Sequence, residues 1–355
     1  MQLKDVDSNF IMEKLDVDDV EWYDAKANVF TLKGGYYCQE EGRYRRIPKE
    51  VMLQTTENLE YLATQTAGLV LKFKTNSPFI AVRATLPNVK MAMNLTSMMV
   101  YGFTLFVGED YESCLVPEFV SYPKEDTTAT VSFEAIRRLI LRRSEEMTLY
   151  FPMMNGCISL EIGIQKGATL QKIQDKNEKP LVFYGSSITN GACASQPGNH
   201  YATLLAKALE KDVLNFGFSG NARGEKPIID YIAEKDASAF IIEYDFNASV
   251  EGLRETHLNV YKTIRAKHPK TPIVMFSRAA FEYNVESAER RQIVRDTYEY
   301  AKARGDEFVE FIDGETFYGQ EDRFVCSQDT CHPNDIGFYR MYKKILPKLQ
   351  KYIQK

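Results

Sequence analysis

Three residues of this chain could together activate an oxygen nucleophile: Ser187, His332 and Asp329. Ser187 stands in Leu181-Val-Phe-Tyr-Gly-Ser-Ser-Ile-Thr-Asn-Gly191. The four apolar residues Leu181 to Tyr184 predict a buried strand, and Gly185 permits a sharp turn after it. A hydroxyl there would lie beyond the carboxyl end of a strand, where open α/β sheets bind ligands. Ser-Ser after a strand also serves as an ordinary turn and helix cap. The distant stretch Asp329-Thr-Cys-His332-Pro333 gives the serine its chemical meaning. A serine hydroxyl is a poor nucleophile near neutral pH and needs a base. His332 suits that task, since an unperturbed imidazole titrates at about 6.5. Asp329 could accept from its other ring nitrogen, fixing the tautomer and stabilising the imidazolium. Pro333 restricts His332 to extended backbone and suits the first turn of a following helix. Such a triad is defined by roles and not by chain order.

Attack on an acyl carbon builds an oxyanion, which needs fixed donors. The backbone N–H groups of Ser187 and Gly220 and the side-chain amide of Asn247 are the candidates. Gly220 could instead be a plain turn glycine, and Asn247 an Asx-type cap. Arg223, Glu225 and Arg278 follow strand ends and could line the pocket, with Arg278 facing a polar or anionic substrate group; surface ion pairs are the alternative. His200, His257 and His268 read as surface or packing residues.

The elements needed to bring these groups together are legible after about residue 176. Strands are expected at 181–184, 213–216, 239–244, 272–276 and 308–312. Helices are expected between and after them, at 201–209, 227–234, 290–304 and 338–352 and in the stretch carrying Leu253, Val260 and Ile264, with Pro347 kinking or breaking the last. Alternating strands and helices imply a parallel sheet covered on both faces. Ser187, Gly220 and Asn247 then follow the ends of its first three strands, and Asp329 and His332 follow the fifth. Residues 1–175 read differently. Short alternating runs at 70–74, 79–86, 103–107, 129–133, 147–150 and 158–164, separated by polar turns, predict an antiparallel β-sandwich. Gly167 to Lys179 is polar and marks the junction, dividing the chain into 1–175 and 176–355. Met91, Met93, Met98 and Met99 around Asn94-Leu-Thr-Ser97 are read first as core packing, with a ligand-contacting loop as the alternative. Trp22 is read as a core or interface residue.

Composition narrows the function. The chain has 355 residues, 44% hydrophobic and 26% charged, with net charge -5. That is enough for two packed cores, and nothing in it favours nucleic acid or an anionic membrane surface. No apolar run reaches the ~18 residues of a membrane span. Met1 to Asp7 has no apolar core of a signal peptide, so a cytoplasmic protein is expected, or a periplasmic or secreted one if a leader has been removed. The six cysteines show no CxxC spacing and read as free thiols; Cys326 and Cys331 could pair only in an oxidising compartment. Neither a structural zinc site nor any cofactor is expected.

Four stretches together resemble the SGNH, or GDSL-type, hydrolases, whose blocks supply Ser, Gly, Asn and His. They are Gly185-Ser-Ser187-Ile-Thr189, Asn215-Phe-Gly-Phe-Ser-Gly220-Asn221, Asp245-Phe-Asn247 and Asp329-Thr-Cys-His332-Pro333. The resemblance spans residues 181–340. It implies a flavodoxin-like three-layer α/β/α domain and a metal-independent serine acylhydrolase, with Ser187 as nucleophile, His332 as base and Asp329 as its orienter. Two positions depart from the pattern. Ser186 replaces the usual acid of the first block, and the third block reads Asp245-Phe-Asn247 in place of Gly-x-Asn-Asp. The whole layout is similar to bacterial SGNH esterases with an N-terminal, jelly-roll-like β-sandwich. That likeness implies removal of a short acyl group, acetyl above all, from a carbohydrate or other small polar ester. An acyltransferase on the same triad and a non-catalytic glycan-binding protein are the alternatives.

Overall fold

The structure, a computed structural model, describes residues 15–108, 110–116, 129–141, 143–174, 178–279 and 285–353. The expectation about Met1 to Asp7 lies outside these residues. Strands are numbered in chain order. The first twelve are β1 (Val20–Asp24), β2 (Thr31–Lys33), β3 (Tyr36–Cys38), β4 (Arg43–Arg45), β5 (Val70–Thr75), β6 (Phe79–Pro87), β7 (Phe103–Val107), β8 (Asp110–Leu115), β9 (Thr130–Arg138), β10 (Glu145–Tyr150), β11 (Ser159–Gln165) and β12 (Leu170–Gln171). β3 and β4 pair only with each other, and the other ten build two antiparallel sheets, in the orders β1-β11-β6-β9 and β12-β5-β10-β7-β8, with β2 beside β5. One shared core fills the space between them. Ile80, Val82, Ala84 and Leu86 point into it from β6, and Leu71 and Phe73 from β5. This is the period-two pattern of a half-buried strand. Three short helices, Lys49–Met52, Glu57–Ala63 and Ser97–Tyr101, interrupt the strands. They escaped sequence reasoning because each is too short to show a period.

The remaining strands are β13 (Leu181–Gly185), β14 (Val213–Gly217), β15 (Ala239–Glu243), β16 (Ile273–Phe276) and β17 (Val309–Ile312). They form one parallel sheet in the order β14-β13-β15-β16-β17. Its strands bury both faces, so they carry apolar runs with no polar alternation. Val182 and Tyr184 of β13 face the helices Lys226–Ala233, Val250–Lys267 and Val285–Lys302. Leu181 and Phe183 face Tyr201–Leu209 and Asp335–Gln350. Two of these helices start at side-chain caps: Ser249 accepts from the Gly252 N–H, and Asn334 from those of Ile336 and Gly337. Pro347 does not break the last helix, which continues to Gln350. It stands one turn from the end, and Ile345 and Leu349 on either side of it are buried in the core.

The two halves are packed against each other. Ile47, Leu59 and Leu62 enter one core of the parallel sheet, while Met99, Tyr101 and Met153 enter the other. Arg46 is buried and donates to the carbonyls of Asn215 and Gly217, both at 2.9 Å. These are acceptors on the free edge of β14, which a sheet would otherwise leave unpaired. The methionine cluster is only partly core. Met99 is buried, but Met93 and Met98 are exposed. Trp22 packs beside Phe79 and Ile136 and carries the Arg83 guanidinium on its ring face.

Candidate active site

β13 ends at Gly185, where the chain turns sharply into the short helix Ser187–Asn190. Only glycine fits at 185, because a Cβ there would lie 2.0 Å from the Glu243 carbonyl oxygen. Ser186 caps the helix, its hydroxyl accepting from the Ile188 N–H. The capping reading of Ser-Ser is therefore correct for Ser186, while Ser187 opens the helix with its own hydroxyl free for other work. Asn190 fixes the helix from the other side, donating to Gln65 Oε1 at 3.0 Å and to the Met153 carbonyl at 3.1 Å.

The Ser187 hydroxyl lies 2.8 Å from His332 Nε2, and His332 Nδ1 lies 2.8 Å from Asp329 Oδ2. A carboxylate can only accept, so Nδ1 carries a proton and, in the neutral ring, Nε2 is free to accept from Ser187. The turn that presents His332 is tightly tied. Asp329 Oδ1 accepts from the N–H groups of Cys331 and His332, at 3.0 and 2.7 Å. Thr330 between them is left-handed, at φ 64°. The His332 carbonyl accepts from Gln328 N–H and the Ser327 hydroxyl, and Ser327 bridges Pro333 across the turn. A further residue comes from the other half of the chain: Asn94 Nδ2 donates to Asp329 Oδ2 at 2.6 Å. Asn94 lies in the methionine-rich loop read first as core packing. A contact spanning 235 residues leaves no local signal, and only the polarity of Asn94 between methionines hinted at it.

Electrostatics follow from this wiring. Burial pushes the Asp329 carboxyl up, but the two His332 N–H groups and Asn94 more than offset it and hold it at about 2. Burial pulls the His332 imidazole down, and the Cys331 side chain and Asp329 overcome this and raise it to about 9. The Cys331 thiol is raised by burial, yet His332 and Arg278 bring it below its usual value. Arg278 Nη1 lies 3.4 Å from Cys331 Sγ, and its guanidinium stacks on Phe246 with 3.5 Å to the ring centroid.

The other candidates lie in the segments that follow β14, β15 and β16. Ser187, Gly220 and Asn247 follow the ends of the adjacent strands β13, β14 and β15, whose residues 185, 217 and 243 are in register. Gly220 is left-handed at φ 69° in the turn after β14. Asn247 Nδ2 reaches across to the Phe218 carbonyl of that turn at 3.1 Å, a contact between the segments that follow β15 and β14 and not a local Asx cap. Arg223 is exposed, with its backbone N–H bonded to Glu225. Glu225 accepts from the Tyr184 hydroxyl at 2.8 Å. No described contact joins either residue to His332. His200 and His257 are buried packing residues, both held neutral by burial: His200 titrates at about 3 and bonds the Ile188 carbonyl, and His257 titrates at about 4. His268 bonds the Ala233 carbonyl. Among the described residues one group could hold a metal ion, Cys193 with Asp329 and His332, whose ligand atoms lie within 4.8 Å of one another. Two of these three residues already bond each other.

A parallel α/β sheet with a hydrogen-bonded Ser–His–Asp line at its carboxyl edge defines the class of α/β serine hydrolases. Residues 178–350 match the GDSL-like lipase/acylhydrolase family, and residues 20–170 match the N-terminal region of SGNH-hydrolase-type esterases. The chain belongs to this GDSL/SGNH family and is a carboxylic ester hydrolase. Among solved structures it is similar to a Bacteroides ovatus protein assigned as a GDSL-like lipase, at 28% identity and TM-score 0.79, over 94% of this chain and 98% of that one. A salicylyl-acyltransferase from a tetracycline biosynthetic pathway shares the fold at 19% identity and TM-score 0.76, with the same coverage. So does a family two carbohydrate esterase from Clostridium thermocellum in complex with cellohexaose, at 12% identity and TM-score 0.60, over 91% and 98% of the two chains. No curated protein matches the chain.

Proposed function

We propose that the chain is a serine esterase that removes a short acyl group, acetate first among them, from a carbohydrate or other small polar ester. The observation that carries this reading is the continuous line Ser187–His332–Asp329, with both links at 2.8 Å. The Ser187 oxygen attacks the acyl carbon while its proton passes to His332 Nε2. The oxyanion is held by the N–H groups of Ser187 and Gly220 and by Asn247. His332 then returns the proton to the leaving alcohol as the ester bond breaks, leaving an acyl-enzyme. Water repeats the sequence and releases the acid. Residues 176–355 supply this machinery, and residues 1–175 supply Asn94 and a wall of the site. The polar groups beside the triad, Asn94 on Asp329 and Arg278 on Cys331, support a polar alcohol, and the fold shared with carbohydrate esterases points the same way. The test compares p-nitrophenyl acetate, butyrate and octanoate. Turnover falling steeply with chain length supports a small acyl pocket. Equal or rising turnover with the octanoate overturns it, and acyl transfer to an added alcohol faster than hydrolysis favours a transferase.

This reading carries a pH prediction. His332 accepts a proton from Ser187 only when neutral, and its neighbours raise it to about 9. For an uncharged ester, kcat/KM is therefore expected to climb with pH and level off only above about 9. Cys331→Ala removes one of the groups that raise His332, so its profile is expected to level off at lower pH. Rate profiles of both proteins between about pH 6 and 10 check this; superimposable profiles would remove Cys331 from the account.

A further inference from the structure

The carboxyl edge of β15 holds a buried acid that the triad does not use. Glu243 is 1% exposed, and among the described residues no cation contacts it. Its donors are all neutral and all belong to the turn that carries Ser187. The Ser186 hydroxyl lies 2.9 Å from Oε1 and 2.7 Å from Oε2. The Thr189 hydroxyl lies 3.0 Å from Oε2 and the Ser186 N–H 3.3 Å from it. Tyr201 backs Thr189 at 3.1 Å. The Glu243 backbone carbonyl also accepts the Ser186 N–H, at 2.9 Å. One side chain therefore grips the residue before Ser187 and the residue two after it. Burying a carboxyl without a cation is costly, and burial raises Glu243 to about 8. An apolar residue would serve the sheet interior at no such cost. The acid absent from position 186 in this chain is thus present in space, delivered from the neighbouring strand.

We propose that Glu243 is a positioning residue for the nucleophile: by bonding Ser186 and Thr189 it fixes the start of the 187–190 helix, so that the Ser187 oxygen stays in line with His332 Nε2. The inference rests on Ser187 being the nucleophile. A reacting atom displaced by about 1 Å costs on the order of 10²-fold in rate, so Glu243→Ala is expected to lower kcat by about that factor. KM should stay within about threefold, because the substrate's other contacts remain. Glu243→Gln keeps an oxygen for the Ser186 and Thr189 donors and is expected to recover most of the loss. Ser186→Ala removes the hydroxyl that both carboxyl oxygens meet, and is expected to lower kcat by about tenfold even if Glu243→Ala folds poorly.

The experiment measures kcat and KM on p-nitrophenyl acetate per competent site, counted by fluorophosphonate labelling, alongside Tm. A purely structural role would lower Tm or the number of competent sites and leave kcat per site unchanged. If Ser186→Ala, and Glu243→Ala where it folds, keep kcat per site within threefold of wild type, the inference is overturned. Failure of the nucleophile assignment looks different: wild type would take no label at Ser187, or Ser187→Ala would still turn over.

Discussion

Ser187→Ala is expected to fold as the wild type does and to lose about 10⁴-fold or more in kcat. The expected loss follows from the role. Without the oxygen no acyl-enzyme forms, and what survives is the catalysis of an oxyanion pocket acting on bound substrate, which in serine hydrolases is worth about 10³–10⁴ over water. The expected stability follows from the contacts. Among the described residues the Ser187 hydroxyl bonds only His332 Nε2, at 2.8 Å, and the residue is half-buried. Its helix is capped by the Ser186 hydroxyl, held at its far end by Asn190, and left by the left-handed Gly191, none of which the substitution touches. Removing one partly solvated hydrogen bond costs about 1 kcal/mol. The checks are kcat on p-nitrophenyl acetate, Tm, and the mass shift on fluorophosphonate labelling. More than a tenth of wild-type turnover in the variant would mean that another group attacks the ester.

How much of this was legible in the sequence differs between the two halves for a physical reason. The parallel sheet buries both faces, so each strand is an apolar run bounded by a turn. Every expected strand from 181 to 312 appears within a residue or two of its place. Ser187, His332 and Asp329 could be found because each lies in a short stretch whose geometry is local: a glycine turn after a strand, and an Asx-type turn closed by Pro333. The residues that sequence reasoning missed act across the fold. Asn94 reaches Asp329 from a loop of the other half, and Glu243 meets Ser186 from a neighbouring strand. Glu243 stands out in the sequence as the one acid within the apolar run expected at 239–244, but nothing local shows its target. Cys331 reads from sequence as a free thiol, with a disulfide to Cys326 as the alternative, and neither reading places it between Arg278 and His332, where the structure has it. Asn247 reads as an oxyanion donor with a local cap as the alternative, and the structure bonds it to the Phe218 carbonyl in the turn after β14.

Asp329→Asn should be nearly as damaging as loss of the serine, by about 10³–10⁴ in kcat, with little loss of fold. Asp329 Oδ1 accepts two backbone N–H groups, from Cys331 and His332. An asparagine oxygen can take over that position and keep the turn closed. Its amide nitrogen must then stand where Oδ2 stood, facing the His332 Nδ1 proton and the Asn94 amide at once. Three donors cannot share that point, so His332 relieves the conflict by moving its proton to Nε2. In that tautomer the nitrogen facing Ser187 donates and can no longer take the serine proton. Loss of the carboxylate also removes one of the groups that hold His332 at about 9, so the residual activity should level off at lower pH than in wild type. Asn94→Ala separates orientation from charge. The carboxylate stays, one of its donors leaves, and the expected loss is only about three- to tenfold, with a slightly raised Asp329 acid. Measuring kcat and its pH profile for both variants checks the argument. An Asp329→Asn enzyme within tenfold of wild type would mean that His332 keeps its tautomer without Asp329, and the orienting role would pass to another acceptor.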